Sequence, residues 1–86
     1  MALYYPAIIE RASEGCGVFL PDLPGCTSAG MTIRDAVLNG KEALRAHIDI
    51  AAEHGDTVPN PTELYAVEID QEVAEILRIL LPTIPH

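Results

Sequence analysis

The sequence predicts a small α+β domain in which a four-stranded sheet packs against one long helix. Residues with high strand propensity cluster near the N-terminus, and an apolar stripe with the 3.6-residue period of a helix occupies the middle of the chain. Loops rich in proline and glycine separate these regions. The chain has 86 residues, of which 49% are hydrophobic, so it has the size of one domain and enough apolar side chains for a core.

The first three strands are predicted to form an antiparallel meander. Residues 3–11 alternate between two faces, and a Ser-Glu-Gly turn at residues 13–15 joins them to a second strand at 17–20. The Pro-Asp-Leu-Pro-Gly segment at residues 21–25 forms a rigid loop, because its prolines fix φ and its glycine allows the chain to turn back. A short third strand follows at residues 26–29.

The long helix is predicted over residues 33–54. Thr32 can cap its first turn, with Asp35 at the third helical position, and Gly55 is expected just after the last turn. Gly40 lies in the middle of the apolar stripe, where glycine lowers helix stability relative to alanine. We therefore expect a close approach of helix and sheet at this position.

The C-terminal part is predicted as a fourth strand at residues 64–69 and a short C-terminal helix capped by Asp70. A right-handed return of the long helix would place the fourth strand beside the first and parallel to it, in the order 3-2-1-4. Pro6 fits this arrangement poorly, since a central strand needs N–H donors on both sides. Weak pairing or a bulge is expected there.

The charge balance excludes several function classes. Thirteen acidic and five basic residues give a net charge of −8, which disfavours binding to nucleic acids and to anionic membranes and favours a soluble protein with a cationic partner. No apolar run is long enough to span a membrane, and no basic segment precedes the N-terminal apolar residues as in a signal peptide. Two cysteines do not make a disulfide framework, so we expect a cytoplasmic protein with reduced thiols.

The order of these signals resembles the HicB-like antitoxin family. The resemblance covers residues 3–62 and is carried by the run Phe-Leu-Pro-Asp-Leu-Pro-Gly-Cys-Thr-Ser-Ala-Gly at residues 19–30, the helix capped by Thr32, and the later Gly55 with its following prolines. It implies a partial RNase H-like fold without nuclease activity. It also implies that the protein neutralises a small basic, RNA-cleaving, HicA-like toxin by covering the active surface of the toxin, with no catalysis and no cofactor.

Residues 1–62 are accordingly predicted to be the antitoxin core, and residues 63–86 to be a final strand and short helix that mediate oligomerisation. Many family members carry a C-terminal DNA-binding module, whereas residues 63–86 are short and acidic, so no complete module is expected. The alternative function is an orphan oligomeric scaffold, or a small-ligand-binding domain of the same fold, without a toxin partner.

Two sets of binding residues are predicted. A loop with two prolines loses little entropy on docking, and Asp22 can meet a basic side chain, although Asp22 can equally accept backbone N–H bonds. The residues predicted to bind the partner are Tyr4, Pro21, Asp22, Leu23, Pro24 and Gly25. The C-terminal segment holds more apolar residues than one helix face can bury, which indicates a homodimer or higher oligomer, with packing inside the monomer as the alternative. The residues predicted for oligomerisation are Tyr65, Val67, Ile69, Ile76, Leu77, Ile79, Leu80 and Leu81.

No catalytic or metal site is predicted. Glu10 and Glu68 lie on strands predicted to be neighbours, but solvated surface carboxylates account for them equally well. His47 and His54 are two helical turns apart, which is too far for both to bind one metal ion.

Overall fold

The computed structural model describes residues 3–83. These residues form a four-stranded antiparallel sheet with one long helix on its inner face. The elements, in chain order, are β1 (Tyr4–Arg11), β2 (Cys16–Phe19), β3 (Thr27–Gly30), α1 (Ile33–Glu53), a 3₁₀ turn (Leu64–Ala66) and β4 (Glu75–Pro82). The strand order is β3-β2-β1-β4. The predicted α+β class and the meander are confirmed, and a fourth strand lies beside β1 as predicted, although other residues form it.

The ends of α1 follow the predicted capping signals. The Thr32 hydroxyl accepts a hydrogen bond from the Asp35 amide at 3.0 Å. At the other end, the Gly55 amide donates to the Ala52 carbonyl at 3.2 Å and the Asp56 amide to the Ala51 carbonyl at 2.8 Å. This pair of bonds is the Schellman motif, which satisfies carbonyls that the last helical turn leaves open.

The core lies between α1 and the inner face of the sheet. Alternate residues of β1, namely Tyr5, Ala7 and Ile9, are fully buried there. The prediction for Gly40 is confirmed, since a Cβ atom at this position would lie 3.2 Å from a methyl carbon of Val18. The absence of a side chain at Gly40 therefore lets the helix backbone pack closely against the sheet.

The prediction for the C-terminal segment is wrong in secondary structure and in direction. Residues 64–69, predicted as a strand, contain only the 3₁₀ turn, and the residues predicted as the short helix form β4 instead. This strand pairs antiparallel to β1, from Tyr4 opposite Pro82 to Glu10 opposite Glu75, and is not parallel to it. A helix was expected because Val73, Ile76, Leu77 and Leu80 fit a helical stripe.

The direction of β4 is set by the segment that precedes it, residues 56–74, which we call the strap. The Pro59 carbonyl contacts Tyr5 near the start of β1, and the Ala74 carbonyl contacts the amide of Arg11 at its end. The strap therefore runs alongside β1 in the same direction. After this additional pass the chain turns, and β4 returns antiparallel to β1.

Pro6 is accommodated without a bulge at its own position. The Leu3 carbonyl accepts a hydrogen bond from the Thr83 amide at 3.0 Å, which fixes the phase of the β1–β4 ladder. Because hydrogen-bonded and non-bonded pairs alternate, Pro6 and Pro82 both fall at non-bonded positions. On the other side, β2 pairs with β1 only from Ile8 onward. The irregularity in the β1–β4 ladder lies further along, between Ile9 and Glu10, where β4 has one extra residue, Ile76.

We predict that Leu81→Ala lowers the free energy of unfolding by about 2–4 kcal/mol, whereas Leu80→Ala lowers it by less than about 1 kcal/mol. The reason is that the Leu81 side chain is 2% exposed and faces the core, while Leu80 is 47% exposed on the other face of β4. Urea denaturation followed by circular dichroism measures both values. If Leu80→Ala lowered the free energy of unfolding more than Leu81→Ala does, Leu80 would be the buried residue. That result would fit the predicted helix and contradict the strand.

Candidate partner-binding site

The loop between β2 and β3 is closed on itself by backbone hydrogen bonds. The Leu20 amide donates to the Cys26 carbonyl at 3.1 Å, the Leu23 amide to the Leu20 carbonyl at 3.0 Å, and the Cys26 amide to the Leu23 carbonyl at 2.9 Å. Gly25 has a φ of +88°, which favours glycine because it has no Cβ atom. The loop is therefore rigid, as its two prolines predicted.

Asp22 connects this loop to the strap. One carboxylate oxygen accepts a hydrogen bond from the Thr62 amide at 2.7 Å, and the other accepts one from the Thr62 hydroxyl at 2.6 Å. Both oxygens of Asp22 are therefore engaged within the chain. The sequence left open whether Asp22 binds a partner or accepts a hydrogen bond from a backbone N–H. The structure contains the backbone hydrogen bond, and its donor, Thr62, is 40 residues further along the chain.

Tyr5 makes the next contact with the strap. Its hydroxyl donates a hydrogen bond to the Pro59 carbonyl at 2.6 Å, while its ring is buried in the core. Burial raises the pKa of the Tyr5 phenol, and the negative charge of Asp22 raises it further. Tyr5 and Asp22 together hold the first part of the strap against the sheet.

Arg78 holds the middle of the strap from β4. Its guanidinium makes a bidentate ion pair with Glu75, at 2.8 and 2.9 Å, and donates to the carbonyls of Leu64 at 3.1 Å and Val67 at 2.9 Å. The hydrogen bond from Arg78 lowers the pKa of Glu75, and the same pair raises the pKa of Arg78. Sequence analysis missed this role, although a lone arginine inside an apolar run was the available signal, since a charge placed there needs partners.

A groove of about 420 Å³ lies between the strap and the outer face of the sheet. Its apolar lining comes from the sheet side and from the strap, and consists of Ile8, Phe19, Pro21, Ala66, Val67 and Val73. Its polar lining is Thr62 and the four carboxylates of Asp22, Glu68, Asp70 and Glu75. The groove is therefore apolar inside and acidic at its edge, and we call its four carboxylates the acidic rim.

The residues predicted to bind a partner do not form one continuous surface. Pro21 and Asp22 line the groove, and Pro24 and Gly25 are exposed on the far side of the loop. Tyr4 is half-exposed near the start of β1, on the face opposite Tyr5. Leu23 packs in the core with 2% exposure, so its side chain anchors the loop and lies away from the surface.

The residues predicted for oligomerisation are likewise divided, because successive side chains of a strand point to opposite faces. Three of them, Leu77, Ile79 and Leu81, pack in or against the core. For these residues the alternative prediction, packing inside the monomer, is the correct one. Leu80 lies on the outer face, opposite Pro6, and Ile76 is the extra residue of β4 at the register shift; both are exposed. In the strap, Tyr65 and Ile69 are highly exposed, whereas Val67 is half-buried in the groove.

Other candidate chemistry is limited in the described residues. Within residues 3–83 no three His, Cys, Asp or Glu side chains are grouped so that they could hold a metal ion. Cys16 and Cys26 are both free and buried, and burial raises the pKa of the Cys26 thiol. The helices in this range include none with the length and apolar character required to cross a membrane.

We predict that Asp22→Ala releases the strap and lowers the free energy of unfolding by about 1–3 kcal/mol, since two hydrogen bonds to a charged acceptor are lost. Amide hydrogen exchange should become faster at Thr62, Ala66 and Val67. Asp49→Ala, which removes the same charge from the exposed face of α1, is the matched control and should leave these amides unchanged. Unchanged exchange at Thr62 in Asp22→Ala would contradict the role of Asp22.

Comparison with known proteins gives a consistent result. A family model described as the HicB-like antitoxin of bacterial toxin–antitoxin systems matches residues 5–84. A 14.9 kDa protein from the rep-hol intergenic region of Haemophilus phage HP1 is 45% identical over 65 residues, which are 73% of this chain and 49% of the phage protein. The chain therefore spans about half the length of that relative.

Two solved structures share the fold over nearly the whole chain. The N-terminal domain of the Burkholderia pseudomallei antitoxin HicB has a TM-score of 0.76 at 29% identity, covering 92% of this chain and 95% of that one. A chain of the HicA3 and HicB3 toxin–antitoxin complex has a TM-score of 0.78 at 28% identity, with the same coverage. With the family model matching nearly the full length, the chain belongs to the HicB-like antitoxin family.

Proposed function

We propose that the protein is an antitoxin that binds a small, basic, RNA-cleaving toxin of the HicA kind and neutralises it by occluding its active surface. The observation that carries this proposal is the match of nearly the whole chain to the HicB-like antitoxin model, together with the shared fold of a chain taken from a toxin–antitoxin complex. The proposed action is binding, without catalysis and without a cofactor.

The charge of the chain supports a basic partner. The net charge is −8, and Arg78, one of only five basic residues, is already paired with Glu75. A surface of one sign accelerates the encounter with a partner of the opposite sign and disfavours partners of the same sign. The same charge supports the proposal that this chain does not itself bind nucleic acid or anionic membranes.

The proposed toxin contacts are two separate patches, which are Tyr4 on β1 and the β2–β3 loop with Pro21, Asp22, Pro24 and Gly25. The loop is closed by its own hydrogen bonds and anchored by Leu23, so its docking costs little conformational entropy. The carboxylate of Asp22 lies in this loop, and its two oxygens accept hydrogen bonds from Thr62.

We also propose that copies of the chain associate through the exposed apolar residues in the described part of the segment 63–86, which are Tyr65, Ile69, Ile76 and Leu80. A contiguous patch of exposed apolar side chains is typical of an interface. Because β4 belongs to the same sheet as β1, β4 forms one folded unit with the antitoxin core of residues 1–62, and the proposed oligomerisation surface lies on that unit. A cytoplasmic location, where Cys16 and Cys26 stay reduced, fits both proposals.

The alternative is a scaffold or small-ligand-binding domain that has the fold without a toxin. The groove beside the strap is the observation that favours it, since its volume of about 420 Å³ lies within the roughly 300–1,000 Å³ of small-molecule sites. The acidic rim and the match to an antitoxin model favour the toxin instead.

We predict that the protein forms a stable complex with the basic product of an adjacent reading frame and stops its cleavage of RNA. The dissociation constant should rise at least about tenfold between roughly 0.1 and 0.5 M salt, because salt screens the attraction between opposite charges. Isothermal titration calorimetry and an RNA cleavage assay measure the two effects. Uninhibited cleavage at low salt in the presence of excess antitoxin would exclude the antitoxin function for this pair.

We predict that the protein is a dimer or larger at tens of micromolar, and that replacing Ile76 and Leu80 together by lysine yields a monomer. Replacement of Leu38 and Ile50 by lysine is the matched control, because these α1 residues are exposed to a similar degree outside the proposed interface. Light scattering reports the mass of each variant. A monomeric wild-type protein, or an unchanged mass for the Ile76 and Leu80 variant, would contradict the proposed interface.

A further inference from the structure

The groove beside the strap has an unbalanced charge. Four carboxylates line it, and none of its lining residues is basic. Glu75 is neutralised by Arg78, the one ion pair found among residues 3–83. Asp22 is bound to Thr62, a neutral residue, so its charge remains. Glu68 and Asp70 are exposed on the strap without a cation beside them in the described chain.

The floor of the groove is apolar, and this selects the kind of side chain that fits. Ile8 and Phe19 from the sheet and Val73 from the strap provide apolar contacts below the acidic rim. Lysine and arginine have apolar stems that pack on such surfaces while their charged ends reach carboxylates. A charged end placed here would make hydrogen bonds to ionised acceptors, which are stronger than bonds between neutral groups.

The size and rigidity of the groove restrict the occupant further. Its volume of about 420 Å³ is near the low end of the range for ligand sites, so it takes one or two side chains and not a folded element. Asp22 and Arg78 hold the strap on either side of Ala66, so the groove is formed before any partner arrives. A preformed site avoids the entropy cost of ordering a loop on binding.

We propose that this groove receives an arginine or lysine side chain of the toxin, with its stem over Ile8 and Val73 and its charged end between Glu68 and Asp70. The inference rests on the proposed function and adds to it a defined point of contact. A second copy of the chain is disfavoured as the occupant of this acidic groove, because each copy carries a net charge of −8, whereas the contacts proposed between copies are apolar. A basic toxin supplies the complementary charge.

The test compares two double variants that each remove two negative charges. Glu68→Gln with Asp70→Asn removes the two rim charges between which the toxin's cation is placed, and it keeps the side-chain shapes. Asp70 accepts a hydrogen bond from the Glu72 amide at 2.9 Å, and the amide oxygen of the replacement side chain can still accept it. Glu42→Gln with Asp49→Asn is the control on the exposed face of α1. With the cognate toxin at fixed salt, we expect the groove variant to bind at least about tenfold more weakly and the control less than about threefold.

A second pair of variants fills the groove from within. Val73→Arg places a cation of the chain itself in the groove, and Ala46→Arg adds the same charge on the exposed surface of α1. Val73→Arg should weaken toxin binding more than Ala46→Arg. In double-mutant cycles, the rim variant is combined with substitutions of single arginine or lysine residues of the toxin. One of these toxin residues should show a coupling free energy of binding with the rim variant, and the others should not.

The outcomes separate this inference from the proposed function. Equal weakening by the groove and helix variants would mean that only overall charge attracts the toxin, and it would overturn the groove as the contact point. Unchanged binding by the rim variant would overturn it as well, while tight binding of the wild-type protein would leave the antitoxin function intact. Absence of binding by the wild-type protein would overturn both.

Discussion

The burial of β1 on both of its faces is the constraint on which the rest of the structure depends. Five consecutive residues of this strand, from Tyr5 to Ile9, are buried. The helix covers Tyr5, Ala7 and Ile9 on the inner face, whereas Ile8 faces the strap across the groove. A chain of this size buries a modest share of its surface. The strap and β4 therefore complete a sheet that the meander and helix would leave open on one face and at one edge.

The strap covers the outer face without regular secondary structure over most of its length, so its backbone polar groups need partners elsewhere. Three side chains provide them. The Tyr5 hydroxyl binds the Pro59 carbonyl, Asp22 binds the Thr62 amide, and Arg78 binds the carbonyls of Leu64 and Val67 at the 3₁₀ turn. Within residues 3–83 no buried side-chain nitrogen or oxygen lacks a hydrogen-bond partner.

This arrangement links stability and function. The loop that carries the family resemblance is also the loop that holds the strap, because Asp22 belongs to the first and binds Thr62 of the second. The strap in turn forms one wall of the acidic groove. The acidic, preformed groove is the part of this arrangement that the proposed toxin would contact.

The sequence by itself determined the elements that depend on local signals. The meander, the rigid loop, the capped helix and the close approach at Gly40 follow from turn residues, periodicity and capping side chains, which act over a few positions. The fourth position in the sheet was predicted beside β1, but from a parallel crossover that the structure does not contain, since β4 is antiparallel and begins at Glu75. The family resemblance was correct because its motif lies in this locally determined part of the chain.

Only the tertiary structure decided the C-terminal half of the sheet and the role of Asp22. Residues 76–81 place apolar side chains on both faces of β4, and such a run fits a buried helix as well as a strand. The antiparallel direction depends on the path of the strap, which its contacts with Tyr5, Asp22 and Arg78 fix at long range. Partners separated by 40 residues leave no periodic signal in the sequence, so no local pattern could have paired Asp22 with Thr62.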